Sequence, residues 1–153
     1  MLIHLRIDDR LIHGQVTVAW SKHVGAQRIM IANDEVAKDD TQKSLLPLAA
    51  PPGVEVTISS IEEANKYLKD NKKTFLLVKN PYDALRLLED GVEIKEINLG
   101  NMGYSEGKKT IKKTLSLGKE DISNLRSLEN KNIKVYFQML PQDRKITLDD
   151  LIK

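Results

Sequence analysis

Residues 6–16 of the chain read Arg6-Ile7-Asp8-Asp9-Arg10-Leu11-Ile12-His13-Gly14-Gln15-Val16. The stretch begins as the end of an apolar strand and finishes as the start of a helix, and its turn carries two acids, two arginines and a histidine. Strand-to-helix turns are where open α/β sheets bind ligands, and a helix N-terminus attracts anions. The stretch therefore predicts an α/β fold with an anion site at this turn.

Strand-like and helix-like segments alternate along the rest of the chain. The predicted strands are 2–7, 28–32, 54–58, 74–78, 94–99 and 133–137, with helices between them and a final short helix after 147. Residues 110–117 are predicted to form a hairpin or an edge strand. This alternation predicts one α/β sandwich domain, residues 1–153, with a mainly parallel sheet. The pattern alone does not give the strand order.

Composition excludes several classes of protein. Its 24 basic and 22 acidic residues leave a formal charge of +2, too balanced to predict nucleic-acid binding. The absence of cysteine excludes disulfides, thiolate metal sites and cysteine catalysis. No apolar run approaches the ~18 residues of a membrane helix, and no basic segment or cleavage site precedes the first strand. We therefore expect a soluble, cytoplasmic protein.

Two of the three histidines fit structural roles. His4 lies in the first strand, where we expect a packed and hydrogen-bonded side chain. His23 lies in the last turn of a helix, where imidazole complements the helix dipole. The spacing of His4, His13 and His23 matches no standard zinc pattern, so the sequence predicts no metal.

His13 differs from the other histidines because of the residues that follow it. Gly14 lets the backbone approach a ligand without a Cβ in the way. The N–H groups of residues 14–16, including that of Gln15, open the helix and are free to bind phosphate oxygens. A histidine that merely caps the helix, satisfied by nearby backbone, is the alternative interpretation.

The charged residues before His13 favour a phosphoryl group on the imidazole. Arg10 offers a planar fork that matches such a group, and Arg6 adds a second positive charge against its nearly two negative charges. Asp8 or Asp9 would fix the imidazole tautomer or brace Arg10. Neutral imidazole is a good nucleophile and phosphoimidazole a good donor, which predicts a phosphoryl relay.

The stretch closely resembles the signature of the enzyme IIB component of the bacterial sugar phosphotransferase system, mannose/fructose/sorbose class. The resemblance extends along essentially the whole chain. Trp20 follows the signature at the family's spacing, residues 98–103 (NLGNMG) resemble its glycine-rich loop, and residues 138–141 (QMLP) resemble its tail.

The resemblance implies that the protein is a protein-Nπ-phosphohistidine–sugar phosphotransferase component. A IIA protein, expected here as a separate chain, would donate a phosphoryl group to Nδ1 of His13. The phosphoryl group would then pass to a hexose-type sugar imported by the membrane IIC and IID subunits. Arg10 carries over as the phosphate-facing arginine and Asp8 as its brace. Arg6 and Asp9 match the motif without a sharper role. No cofactor is implied beyond the covalent phosphoryl group, and the protein would associate peripherally with the transporter.

The family fold is a three-layer α/β/α sandwich with the strand order 3-2-4-1-5-6. In that order the first strand lies between the fourth and fifth, so the loops at 79–80 and 100–103 would flank His13. Asn80 and Asn101 thereby become second-rank site candidates. For Asn80, a simple helix N-cap is the favoured interpretation.

Two other classes of function stay open at this stage. A phosphohistidine hydrolase or mutase would need a general acid and a second histidine at the phosphate. A regulatory module would bind an anion on Arg10 and the helix N-terminus without phosphorylation of His13. The lysines at 108, 109, 112, 113 and 119 are interpreted as a solvated face, with a surface that steers an acidic partner as the alternative. Trp20 is interpreted as a core residue rather than a sugar-stacking platform.

Overall fold

Residues 8–13 connect the first strand, β1 (Leu2–Ile7), to the first helix, α1 (Gly14–Val24). The structure, a computed structural model, describes residues 1–153. The remaining strands are β2 (Arg28–Ala32), β3 (Glu55–Ser59), β4 (Thr74–Val78), β5 (Glu96–Leu99), β6 (Lys109–Lys112), β7 (Leu115–Leu117), β8 (Lys134–Phe137) and β9 (Ile146–Thr147). The remaining helices are α2 (Asp34–Ala37), α3 (Asp40–Leu45), α4 (Ile61–Leu68), α5 (Pro81–Glu89), α6 (Lys119–Glu129) and α7 (Leu148–Leu151), with a 3-10 turn, Leu46–Ala49, after α3.

Seven strands form one sheet in the order β3-β2-β4-β1-β5-β8-β9, and β6 pairs with β7 in a separate hairpin. Every neighbouring pair in the large sheet is parallel except β8 with β9. The expected order 3-2-4-1-5-6 is confirmed, because the sixth predicted strand is β8. The sequence does not predict β9, which has two residues and is too short for an alternation pattern.

Helices cover both faces of the sheet, which gives the expected three layers. Met30 and Ala32 of β2 pack in a larger cluster with α4, α5, α6 and α7, whereas Ile29 and Ile31 pack in a smaller cluster with α1. All residues of β2 and β4 are buried, as expected for strands that are apolar after their first residue and are covered on two faces. No helix combines the length and the apolar character needed to cross a membrane.

The turn after β1 lies between the loops that follow β4 and β5. The Asp8 N–H donates to the Val78 carbonyl at 3.0 Å, and the Gly100 N–H donates to the Ile7 carbonyl at 2.8 Å. These bonds continue the two parallel ladders past the last residue of β1. The 8–13 turn therefore lies at the carboxyl end of the central strand, with the loops after β4 and β5 on its two sides.

Candidate functional site

His13 lies immediately before α1, with an extended backbone (φ −152°, ψ 113°) and no side-chain bond to the helix. Its N–H donates to Thr17 Oγ1 at 2.9 Å, and its side chain is 22% exposed. Gly14 follows at φ +42°, and a Cβ added there would meet nothing within 4 Å. The first turn of α1, with Gln15 exposed, is therefore open to an approaching anion.

Two apolar side chains anchor the turn from below. Leu11 and Ile12 are 2% and 3% exposed and pack with Trp20. Leu11 has φ +60°, a conformation that costs about 1 kcal/mol or more for a residue with a side chain. This backbone conformation places the Leu11 side chain in the core and leaves Arg10 and His13 at the surface. The sequence does not reveal this strained residue, because leucine carries no signal for positive φ.

Asp8 lies at the centre of the site. Its carboxylate is 1% exposed and contacts Arg6, Arg10 and His13. Oδ2 lies 3.1 Å from His13 Nε2 and 3.4 Å from Arg6 Nε. Oδ1 accepts the Arg10 N–H at 3.0 Å. Burial acts to raise the pKa of Asp8, but the hydrogen bond to His13 and the charge of Arg6 outweigh it and hold the pKa below its usual value.

Arg10 is the exposed cation of the turn. Its side chain is 43% exposed, and its Nε lies 3.6 Å from Asp8 Oδ1. No other acidic group pairs with it, so the outer nitrogens of its fork are free for a ligand. The structure thus brings Arg10, Asp8 and His13 together, as the motif predicts, and makes Asp8 the residue that contacts both of the others.

Arg6, counted from the sequence among the phosphate-binding residues for its positive charge, lies below the surface of the site. Arg6 is 1% exposed, and Nη1 donates to Asn98 Oδ1 at 2.6 Å and to the Gln138 carbonyl at 2.9 Å. Nη2 lies 3.7 Å from the sulfur of Met139. Because these partners already occupy the guanidinium below the surface, Arg6 contributes its charge from underneath and does not touch a ligand. Burial lowers the pKa of Arg6, and the neighbouring Asp8 partly offsets this effect.

Asp9 and Asn101 connect the 8–13 turn to the loop after β5. Asp9 Oδ1 accepts from Asn101 Nδ2 at 2.6 Å, and Oδ2 accepts the Gly103 N–H at 2.7 Å. The Asp9 N–H donates to the Asn101 carbonyl at 2.9 Å. Both residues therefore fix the loop after β5 against the turn, and neither side chain is bonded to His13.

Asn80, the other second-rank candidate, is a helix cap. Its side-chain oxygen accepts the Asp83 N–H at 2.8 Å, directly before Pro81 at the start of α5. The favoured N-cap interpretation is confirmed.

The other histidines occupy structural positions, as expected. His4 stacks on Trp20 with 4.6 Å between ring centroids, and its Nε2 lies 3.2 Å from Asn98 Oδ1. Burial lowers the pKa of His4 to about 4, so its imidazole is neutral. Trp20 is 2% exposed and donates to the Met139 carbonyl, which confirms its place in the core. His23 contacts the edge of the Trp20 ring. No group of three or more histidine or acidic side chains is placed to hold a metal ion.

Three residues that complete the site stand outside the motif. Asn98, Gln138 and Met139 surround the Arg6 guanidinium, and Asn98 also bonds His4. Asn98 and Gln138 are almost fully buried. A polar residue inside an apolar strand such as β5 is the signal that points to Asn98, because buried amides need partners.

This geometry presents one imidazole nitrogen for chemistry. An ionised carboxylate only accepts hydrogen bonds, so in the neutral imidazole the proton lies on Nε2, facing Asp8. Nδ1 then keeps its lone pair and has no partner within the protein. A nucleophilic nitrogen next to a free guanidinium fork and an open helix N-terminus is equipped to accept a phosphoryl group.

Comparisons with known proteins identify the class as components of bacterial sugar phosphotransferase systems (PTS). The family described as PTS system sorbose subfamily IIB component matches residues 2–153. The chain belongs to this family.

Individual relatives agree along nearly the whole chain. The sorbose-specific EIIB component of Klebsiella pneumoniae is 41% identical over 152 residues, which cover 96% of this chain and 92% of that protein. The mannose-specific EIIAB component of Escherichia coli K12 is 36% identical over 96% of this chain, which spans 47% of that protein. The IIBSor domain of the Klebsiella pneumoniae sorbose permease superposes with a TM-score of 0.95 at 39% identity, covering 99% of this chain and 96% of that one.

Proposed function

We propose that the protein accepts a phosphoryl group from a phosphorylated IIA protein on Nδ1 of His13 and passes it to a sugar. The observation that carries the proposal is the 3.1 Å contact between His13 Nε2 and the buried Asp8 carboxylate. It directs Nδ1, the nitrogen with the free lone pair, to the reaction. Membership of the IIB family supplies the sugar phosphotransferase context.

In the first step the Nδ1 lone pair attacks the phosphorus atom carried by the donor's phosphohistidine. A new N–P bond forms on His13, the donor's N–P bond breaks, and its electron pair stays with the donor imidazole. Throughout the step the Nε2 proton remains hydrogen-bonded to Asp8, which offsets positive charge on the ring. Arg10 and the N–H groups of the first turn of α1 hold the transferring oxygens.

In the second step a sugar hydroxyl attacks the phosphorus atom on His13. The bond from phosphorus to Nδ1 breaks and returns its electron pair to the ring, and the hydroxyl proton goes to a base on the sugar-binding subunit. Relatives named for sorbose, mannose and N-acetylgalactosamine support a hexose or hexose derivative as the acceptor. We place the chain at the cytoplasmic face of membrane IIC and IID subunits that bind this sugar.

Intact-mass spectrometry tests the proposal. The protein is incubated with phosphoenolpyruvate, enzyme I, the phosphocarrier protein and a IIA protein of this class. We expect one added phosphoryl group that is lost in acid, is absent in His13→Ala and persists in His23→Ala, the matched control on the far end of α1.

The alternatives predict different results. An anion-binding module would gain no mass in the presence of a competent IIA protein, and that outcome would overturn the proposal. A hydrolase or mutase loses support because neither remaining histidine is bonded to the turn. His4 stacks on Trp20 and is bonded to Asn98, and His23 contacts the Trp20 ring in a T-shaped arrangement.

A further inference from the structure

Gly100 and Arg6 are in direct contact below the site. An alanine Cβ at Gly100 would overlap the Arg6 guanidinium at three of its atoms. The backbone of Gly100 does not have a positive φ, so its conformation suits any residue. The lack of a side chain at position 100 is therefore required by the guanidinium that lies against it.

The guanidinium links the carboxyl ends of three strands. Arg6, on β1, donates to Asn98 on β5 and to the carbonyl of Gln138, which follows β8. Its remaining edge points up into the turn, where Nε lies 3.4 Å from Asp8 Oδ2. The same Oδ2 receives the imidazole of His13.

The charges in this arrangement depend on one another. Arg6 and Asp8 are each about 1% exposed, and a buried charge is tolerated only with an opposite charge or full hydrogen bonding. Arg6 thus keeps Asp8 ionised and points its Oδ2 at the imidazole. Without the guanidinium in place, Oδ2 would lose its buried counter-charge, and only the Arg10 N–H on Oδ1 and the imidazole itself would still hold the carboxylate.

We propose that Arg6, seated on Gly100, is a positioning residue that holds Asp8 ionised against His13 Nε2 and so presents Nδ1 for phosphoryl transfer. This inference rests on the proposed function for its chemistry, since it assigns a part in that transfer to a residue that touches no reactant. Because the Arg6 guanidinium packs against Gly100, the position of the loop after β5 affects the position of Asp8 and, through it, of the His13 imidazole.

Gly100→Ala tests the proposal without changing any charge. The new Cβ displaces the guanidinium, while Arg6, Asp8 and His13 are all retained. We expect the phosphoryl-transfer rate at saturating phospho-IIA to fall on the order of 100-fold, because a displacement of about 1 Å is enough for such a loss. KM for the donor should stay unchanged, because Arg6 is buried and does not contact the donor.

Nitrogen-15 NMR of the imidazole provides a readout that needs no donor. In the parent protein we expect a slowly exchanging, hydrogen-bonded Nε2 proton on His13 and an unprotonated Nδ1. In Gly100→Ala this proton signal should disappear, and the two nitrogen shifts should move toward each other. Gly118→Ala, which introduces a Cβ at the start of α6 with ordinary spacing, should leave the His13 spectrum as in the parent.

A second variant, Arg6→Lys, removes the guanidinium that a Cβ at position 100 would overlap. Arg6→Lys keeps the charge but lacks the planar group that lies on Gly100, so it should lose the Nε2 proton signal by itself. Adding Gly100→Ala to Arg6→Lys should then have little further effect, which is the non-additivity expected for two residues in contact. If Gly100→Ala does not fold, Arg6→Lys alone tests the proposal, through its phosphoryl-transfer rate and its His13 Nε2 proton signal.

The outcomes separate the two proposals. A folded Gly100→Ala protein, or Arg6→Lys in its place, with the parent's Nε2 signal and transfer rate would overturn the positioning role. Loss of the Nε2 signal in the variants, together with a parent protein that never accepts a phosphoryl group, would support the placement and refute the proposed function.

Discussion

Two buried arginines lie at opposite ends of the parallel strands, Arg28 at the start of β2 and Arg6 near the end of β1, and they use their aspartates differently. Arg28 begins β2 and is 3% exposed, and its two terminal nitrogens bind the two oxygens of Asp70 at 2.9 and 3.1 Å. Arg6 lies near the end of β1 and reaches Asp8 through Nε alone, at 3.4 Å. Arg28 therefore donates to both carboxylate oxygens of Asp70, whereas Arg6 contacts only Oδ2 of Asp8.

The difference shows how similar pairs serve different purposes. A bidentate pair such as Arg28–Asp70 fixes the entry of a strand. The other partners of Asp70 are also structural, because Oδ1 accepts from the Lys72 N–H at 3.1 Å and from the N-terminal amine at 3.3 Å. Asp8 keeps Oδ1 for Arg10 and shares Oδ2 with His13. A buried carboxylate that its arginine only partly satisfies is therefore available to orient a reacting group.

The strongest test of this comparison is Asp8→Asn against Asp70→Asn. Asp8→Asn removes the negative charge that faces His13 Nε2–H and replaces one of the two acceptor oxygens with an NH2 donor. It also leaves Arg6 without its counter-charge. We expect phosphorylation by phospho-IIA to fall on the order of 100-fold or more, and the free energy of unfolding to fall by about 3–5 kcal/mol, as for a broken buried pair. Stopped-flow phosphorylation and urea denaturation measure the two effects.

Asp70→Asn is the matched control, since it makes the same chemical change at the opposite end of the parallel strands, where β2 begins. Its phosphorylation rate should equal that of the parent, with a smaller loss of stability because Asp70 is 48% exposed. Equal losses of rate in the two variants would contradict the division between a functional and a structural pair.

His4 extends the comparison to the region below the site. Burial, partly offset by the bond to Asn98, lowers the pKa of His4 from 6.5 to about 4 in the folded protein. Between these values the unfolded chain binds a proton that the folded chain does not, so stability falls as the pH falls from 6.5 to 4. The shift corresponds to roughly 3 kcal/mol.

His4→Phe keeps an aromatic ring for the stack on Trp20 and removes the titrating group. Chemical denaturation at several pH values should show that the loss of stability between pH 6.5 and 4 is smaller in His4→Phe than in the parent. Parallel stability curves for the two proteins would show that His4 titrates in the folded state as it does in water.

Arg10→Lys tests whether the exposed guanidinium next to Asp8 binds the phosphoryl group. Lysine keeps the positive charge but not the planar fork, so we expect transfer to slow by about tenfold without being abolished. Arg126→Lys, on α6 and paired with Glu129 and Asp149, is the control and should transfer at the parent's rate. Unchanged transfer in Arg10→Lys would remove Arg10 from the phosphate-binding role.

The sequence predicts the turn well because its signals are local. Strand alternation before residue 8 and a helical pattern after Gly14 place the turn, and the motif places Arg10, Asp8 and His13 in it. The family resemblance, rather than periodicity, supplies the strand order, because alternation in one strand does not encode which strand lies beside it.

Arg6 shows where sequence reasoning stops. A charged residue near a strand end is ordinarily exposed, so the motif favours counting Arg6 among the phosphate-binding residues. Its burial depends on Asn98 and the Gln138 carbonyl, which lie 92 and 132 residues away along the chain. The space for its guanidinium depends on Gly100, on a different strand end. Only the assembled sheet brings these groups to one point.

The smallest expected effect is the change in the stability contributed by the Arg28–Asp70 pair in acid. The hydrogen bonds from Arg28 lower the pKa of Asp70 to about 2, from 3.8 in the unfolded chain. A lowered carboxyl pKa stabilises the folded state above pH 3.8, and that stabilisation is lost as the pH falls through 2. The difference in stability between the parent and Asp70→Asn should therefore be constant at neutral pH, shrink below pH 4 and vanish near pH 2. Urea denaturation across this range measures it. A difference that does not change with pH would mean that Asp70 acts through its shape and its hydrogen bonds, with no part played by its charge, and the Arg28–Asp70 pair would then be structural in a stricter sense than Arg6–Asp8.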